Sequence, residues 1–231
     1  MCYFYTKYVI IMDWKNKIKA VIFDLDGVIV DTAKYHYLAW KSLADQLGIP
    51  FSERENENLK GISRMDSLNF ILSLGDVQYM SQDDKMKLAI SKNLHYLELI
   101  TDLNREDILP GTLEWIQECK DNNIKIALGS ASKNARRILE SLDLIDQFDV
   151  IIDGTNTTKT KPDPQVFELA AKGLGVKASE SVVIEDAYKG LEAAKNGGFY
   201  SIGIGDPEIL NIADINLRSL SDADMNILEK L

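Results

Sequence analysis

The chain has 231 residues, and its 26 lysines and arginines against 36 aspartates and glutamates give a net charge of −10 at pH 7. Without a long Lys/Arg run to form a basic face, a nucleic-acid partner is not expected. Hydrophobic residues at 45% and charged residues at 27% describe a globular chain with a real core, and two cysteines with two histidines leave no pattern for structural zinc or a disulfide framework.

In chain order, residues 3–12 are apolar and aromatic but are interrupted by Lys7. They are too short to span a membrane and are not followed by a cleavage site, so no membrane partner and a cytoplasmic location are expected. Met12 opens a more ordinary beginning, and residues 1–11 read either as an unordered extension from an upstream start or as a short strand or arm. Residues 18–24 form the first of five Val- and Ile-rich runs that read as buried parallel strands. The others are 124–130, 148–153, 181–186 and 200–205, with helical patterns between them as in repeated βαβ units. About a hundred residues separate the first run from the second, far more than one crossover helix needs. Within that gap, 33–47 carries Tyr37, Trp40, Leu43, Ala44 and Leu47 at helical spacing, and 83–99 carries Met86, Ala89, Ile90, Leu94 and Leu97, a pattern that demands a core of its own. The expected fold is α/β, a Rossmann-like doubly wound parallel sheet formed by residues 1–31 and 104–231, with an α-helical cap inserted at 32–103. An acidic helix is expected over 222–231.

Chemistry gathers at the carboxyl ends of the strands, where open α/β sheets bind ligands. The first strand ends Ile22-Phe23-Asp24-Leu25-Asp26-Gly27-Val28, which aims two carboxylates into one crevice. Alone, this reads as an acidic turn; as a calcium loop it fails, because Tyr35 stands where a bidentate Glu is needed. Ser130 closes the second run, Lys161 follows the third within Thr160-Lys161-Pro162-Asp163-Pro164, and Glu185-Asp186 ends the fourth. Singly, these are a helix cap, a surface lysine and a helix-start feature. Together, a hydroxyl, a lysine and hard oxygen ligands at one edge suit a phosphate with Mg²⁺. The glycine-rich nucleotide motifs and the Gly-x-Ser-x-Gly elbow are absent from the sequence.

Asp24-x-Asp26, Ser130, Lys161 and Glu185-Asp186, in this order, resemble the four motifs of the haloacid dehalogenase superfamily, over about residues 19–205. The resemblance implies phosphoryl transfer through an aspartyl phosphate. Asp24 is then the nucleophile, Asp26 the general acid and base, and Lys161 the cation that offsets repulsion, while Ser130 and the Ala131 amide hold the phosphoryl group. Asp24, Asp26 through its carbonyl, Glu185 and Asp186 are the implied Mg²⁺ ligands.

The inserted segment narrows the resemblance. Thr32 with His36 and Trp40, the run Leu59-Lys60-Gly61-Ile62-Ser63-Arg64, and Ser130-Ala131-Ser132-Lys133-Asn134 are similar to the β-phosphoglucomutase family of that superfamily. That family's activity implies interconversion of β-glucose 1-phosphate and glucose 6-phosphate, with β-glucose 1,6-bisphosphate as intermediate and activator, by a monomer acting on a small sugar phosphate. A mutase needs a second phosphate site away from the nucleophile. Arg64, whose guanidinium matches phosphate, is its candidate, joined by Ser132, Lys133 and Asn134. The resemblance assigns His36, Lys60, Gly61 and Lys92 to the sugar, Trp40 to supporting its helix and Thr32 to the hinge. Taken alone, His36 and Trp40 read as core, and Lys60, Arg64 and Lys92 as solvated charge. A sugar-phosphate phosphatase needs only the strand-end motifs and is the alternative expectation.

Overall fold

Strand β1 (Ala20–Phe23) is buried along its whole length because apolar layers cover both faces of the sheet it centres. Five more strands follow: β2 (Lys125–Gly129), β3 (Val150–Ile152), β4 (Ser181–Glu185), β5 (Tyr200–Ile204) and β6 (Ile215–Leu217). They form one parallel sheet in the order β3-β2-β1-β4-β5-β6. A computed structural model describes residues 14–75, 77 and 79–231, so the readings of residues 1–11 lie outside the described residues. The five expected strands are present with slightly narrower bounds. The sixth, β6, was not expected: three residues with polar Asn216 at the centre make no apolar run, and only pairing with β5 makes them a strand.

The helices are α1 (Trp14–Lys17), α2 (Ala33–Gln46), α3 (Glu53–Asn56), α4 (Arg64–Leu74), α5 (Gln82–Leu99), α6 (Thr112–Asp121), α7 (Ala135–Ser141), α8 (Gln165–Leu174) and α9 (Tyr188–Asn196). Alternation along β1 decides the layers. Val21 and Phe23 join one apolar cluster with Trp115, Ile138 and Leu139, while Ala20 and Ile22 join another with Phe167, Ala170 and Leu174 on the opposite face. A third cluster draws its residues from the inserted segment, among them Trp40, Leu43, Phe51, Leu68, Ile71 and Ala89. Ser63 and Ser81 start α4 and α5 by accepting the backbone N–H groups of Asp66 and Asp84.

Two expectations are corrected. On α5 the expected apolar stripe is buried only in part: Ala89 is buried and Leu97 partly so, but Met86, Ile90 and Leu94 are about half exposed, and Lys92 and Tyr96 are buried in their place. The helix turns this face inward because it flanks a polar cavity as well as an apolar core. At the C-terminus the expected helix is two 3-10 segments, Leu220–Asp222 and Met225–Lys230. Trp115 Nε1 donates to the carbonyls of Leu220 and Ala223 at 3.0 and 2.8 Å, which ties the intervening chain down in a non-α path. No helix among the described residues is long and apolar enough to cross a membrane.

Candidate active site

The strand order reverses at β1, which has β2 on one side and β4 on the other, and this opens a crevice beyond the strand ends. Asp24 is held there by its backbone N–H, which donates to the Ile184 carbonyl at 2.9 Å. Its carboxylate accepts a hydrogen bond from Lys161 Nζ at 2.7 Å, and the same Nζ donates to Glu185 at 2.7 Å. All three side chains are buried. Burial alone would lower the Lys161 pKa, but Asp24 and Glu185 more than offset it and hold the ammonium above its ordinary value.

Asp24, Glu185 and Asp186 each offer a carboxylate oxygen within 4.8 Å of the others, and Lys161 donates to only two of the three. Burial, followed by the Asp24 charge, pushes Glu185 up to about 8 and Asp186 up to about 7. A hard divalent cation relieves that repulsion, and an all-oxygen donor set fits Mg²⁺ chemistry. Two glycines make room for these acids. A Cβ on Gly27, where φ is +76°, would lie 2.2 Å from Asp186 Oδ2, and one on Gly190 would lie 2.2 Å from Glu185 Oε2. The role of Gly190 escaped sequence reading, since only the fold places α9 against the β4 end.

Asp26 lies in the turn beyond β1. Lost solvation, then the Asp24 charge, raises its pKa to about 8, a value that suits a group taking and giving a proton near neutrality. The Thr32 hydroxyl donates to the Asp26 carboxylate. Thr32 stands at the N-cap of α2 without capping it through its side chain, because that hydroxyl is committed to Asp26.

The helical segment supplies the other side. Lys92, only 3% exposed, lies 2.8 Å from His36 Nδ1, 4.5 Å from the Trp40 ring centre and 4.9 Å from that of Tyr96. His36 stacks on Tyr96 with centroids 4.0 Å apart. Burial, then the neighbouring Arg64 charge, holds Lys92 well below its usual pKa. Burial and the Lys92 charge shift His36 the same way, which favours the neutral imidazole. Trp40 serves both readings: it belongs to the third apolar cluster and forms a face for Lys92. Arg64, the first residue of α4, is half-buried, and among the described residues no carboxylate lies within ion-pair distance of it. Lys60 pairs with Glu57 at 2.9 Å.

One cavity of about 280 Å³ joins the two sides, running from Asp24, Asp26, Lys161 and Asp186 to His36, Trp40, Lys60, Gly61, Arg64 and Lys92. Ser130, Ala131, Ser132, Lys133 and Asn134 form part of its wall. Ser130 Oγ accepts the Ser132 N–H at 3.1 Å and Ser132 Oγ the Asn134 N–H at 3.2 Å, which curls the loop around the cavity. Thr32 and Glu185 are not wall residues: they act from behind Asp26 and Lys161. Asn56, Ser67 and the 157–160 stretch, to which the sequence pattern assigns no role, also line it. Ser67 had a signal, since it lies three residues after Arg64 and so shares its helix face.

The family model for haloacid dehalogenase-like hydrolases matches residues 18–198. The chain is 45% identical to the β-phosphoglucomutase of Bacillus subtilis (strain 168), over 92% of this chain and 94% of that protein. It is 31% identical to a phosphorylated carbohydrates phosphatase of Thermotoga maritima, over 80% and 83% of the two chains. Among solved structures, a β-phosphoglucomutase from Clostridium difficile superposes with a TM-score of 0.90 at 44% identity, covering 92% of this chain and 96% of that one.

Proposed function

The chain belongs to the haloacid dehalogenase-like hydrolase family, and from that membership we propose that it acts as a β-phosphoglucomutase, interconverting β-D-glucose 1-phosphate and glucose 6-phosphate. The observation that carries this reading is the opposite charge demand at the two ends of one cavity. One end holds a nucleophilic carboxylate within an acidic cluster that calls for a cation. The other holds Arg64 and Lys92 with no carboxylate paired to them among the described residues. A phosphatase needs the first end alone, whereas a substrate passing through a bisphosphate needs both.

Asp24 attacks phosphorus as a carboxylate and becomes the aspartyl phosphate, while Lys161 Nζ, 2.7 Å away, offsets the charge of the incoming phosphoryl oxygens. Asp26 gives its proton to the departing sugar oxygen and takes one from the hydroxyl that attacks later. Thr32 holds the Asp26 carboxylate between those events. Ser130 and the Ala131 amide hold the transferring group, and Ser132, Lys133 and Asn134 act with Arg64 on the distal phosphate. His36, Lys60, Gly61 and Lys92 bear on the sugar, with Trp40 as their support. Asp24, Glu185, Asp186 and the Asp26 carbonyl would hold Mg²⁺, which when bound would supply positive charge against the phosphoryl oxygens. The segment 32–103 acts as a cap that excludes water while β-glucose 1,6-bisphosphate, intermediate and activator, turns to present its other end. We place the enzyme in the cytoplasm, working as a monomer on a small sugar phosphate.

Phosphorus NMR on protein mixed with Mg²⁺, β-glucose 1-phosphate and a trace of β-glucose 1,6-bisphosphate tests this. Glucose 6-phosphate is the expected product; inorganic phosphate as the main product would overturn the mutase reading in favour of hydrolysis.

A further inference from the structure

Besides the bond from Lys189 Nζ to the Asn58 carbonyl at 3.3 Å, two hydrogen bonds between side chains cross the cleft between the helical segment and the sheet. Thr160 Oγ1 donates to Asp66 Oδ2 at 3.1 Å, and Asn134 Nδ2 donates to Asn93 Oδ1 at 2.9 Å. Each lies beside a cation of the site along the chain. Thr160 precedes Lys161, Asp66 stands two residues after Arg64, and Asn93 follows Lys92.

Both ends of the Thr160–Asp66 bond are held in place. Asp66 lies in the first turn of α4, where the Ser63 hydroxyl donates to its carboxylate at 2.6 Å and accepts its backbone N–H. The loop before Thr160 is anchored by Gln165 Oε1, which accepts the N–H groups of Thr158 and Lys159 at 2.8 and 2.9 Å. The bond therefore joins two braced pieces, one starting the helix that bears Arg64 and the other leading into Lys161. Asp66 is exposed and is not part of the cavity wall, so its effect on a reaction must be transmitted through other groups.

We propose that the Thr160–Asp66 bond fixes where Arg64 stands relative to Lys161, making Thr160 and Asp66 positioning residues for transfer between the two ends of the sugar. The inference rests on the mutase reading. A small phosphate ester engages Asp24 and Lys161 alone and is indifferent to where Arg64 stands, whereas a bisphosphate must be gripped at both ends. The Asn93–Asn134 bond on the other rim keeps part of the registration when the first is lost, so the effect is partial.

The experiment compares the wild type with Thr160→Val, Thr160→Ser, Asp66→Ala and the Thr160→Val/Asp66→Ala double variant. For each, with β-glucose 1-phosphate as substrate, three quantities are measured: kcat/KM for β-glucose 1,6-bisphosphate as activator, the ratio of inorganic phosphate to glucose 6-phosphate formed, and, separately, the hydrolysis rate of p-nitrophenyl phosphate. Thr160→Val and Asp66→Ala are each expected to lower kcat/KM for the bisphosphate by about 3–10-fold, the scale of one net hydrogen bond, and to raise the phosphate share. Hydrolysis of p-nitrophenyl phosphate stays at the wild-type rate in Asp66→Ala, whose side chain lies outside the cavity wall, Thr160→Ser restores transfer, and the double variant is no worse than either single one in transfer. Additive losses, an equal fall in p-nitrophenyl phosphate hydrolysis in Asp66→Ala, or a wild-type partition in Thr160→Val would overturn the spacing role alone. A wild type that forms no glucose 6-phosphate would overturn the mutase reading and the spacing role with it.

Discussion

The sheet edge and the helical segment both aim ionisable side chains into one cavity, but on opposite electrostatic terms. At the sheet edge Lys161 sits between Asp24 and Glu185, so the protein itself meets part of the buried negative charge there and leaves the rest for a cation. In the helical segment Lys92 is buried against the His36 imidazole and two aromatic rings. Arg64 nearby depresses its pKa further. The first arrangement is a reaction centre that stands assembled before a substrate arrives. The second lacks an anion that only the substrate brings, so binding energy is concentrated where the ligand differs from a simple phosphate ester.

The contrast breaks most completely at the nucleophile. Asp24→Asn is expected to lower the rate of glucose 6-phosphate formation by about a thousandfold or more, with circular dichroism unchanged. Lys161→Met leaves the Asp24 and Glu185 carboxylates buried without their cation and is expected to cost about 3–5 kcal/mol of stability in urea unfolding without divalent metal. If stability held, the pair would not be the compensated unit described.

On the helical side the losses should fall on transfer rather than on folding. Arg64→Ala is expected to lower mutase kcat/KM roughly 10–100-fold and to raise the fraction of phosphate lost to water, with the unfolding midpoint nearly unchanged. An unaltered partition would remove Arg64 from the distal site.

The smallest effect is a pH slope. Because burial and Lys92 hold His36 well below its ordinary value, the unfolded chain takes up its proton first as pH falls. The contribution of His36 is full above about pH 6.5 and is lost below it, by up to about 1.4 kcal/mol per pH unit. His36→Asn should erase this part of the slope, measured as the difference between variant and wild-type unfolding from pH 7.5 to 5.5. Parallel curves would mean that the imidazole is not held neutral.

Legibility in the sequence followed the same divide. Asp24, Ser130, Lys161, Glu185 and Asp186 were readable because each ends or follows a short Val/Ile-rich run, and strand ends of one parallel sheet share an edge. The α5 stripe was misread in part because Met86, Ile90 and Leu94 have helical spacing but face outward, while Lys92, which looks like a solvated charge, faces inward. The acidic tail was read as a helix, although Trp115 holds its carbonyls in a 3-10 path. β6 stayed invisible because three residues carry no periodicity.

The parallel sheet, the inserted helical segment and the order of the strand-end groups are written in local patterning, since they depend only on periodicity and on the short reach of the chain around each strand. Only the tertiary structure decided which face of α5 is buried, that Gly190 makes way for Glu185, and that Thr160 meets Asp66 across the cleft. Those outcomes depend on contacts between segments far apart in the chain, where burial and charge compensation are settled jointly and no local pattern records the result.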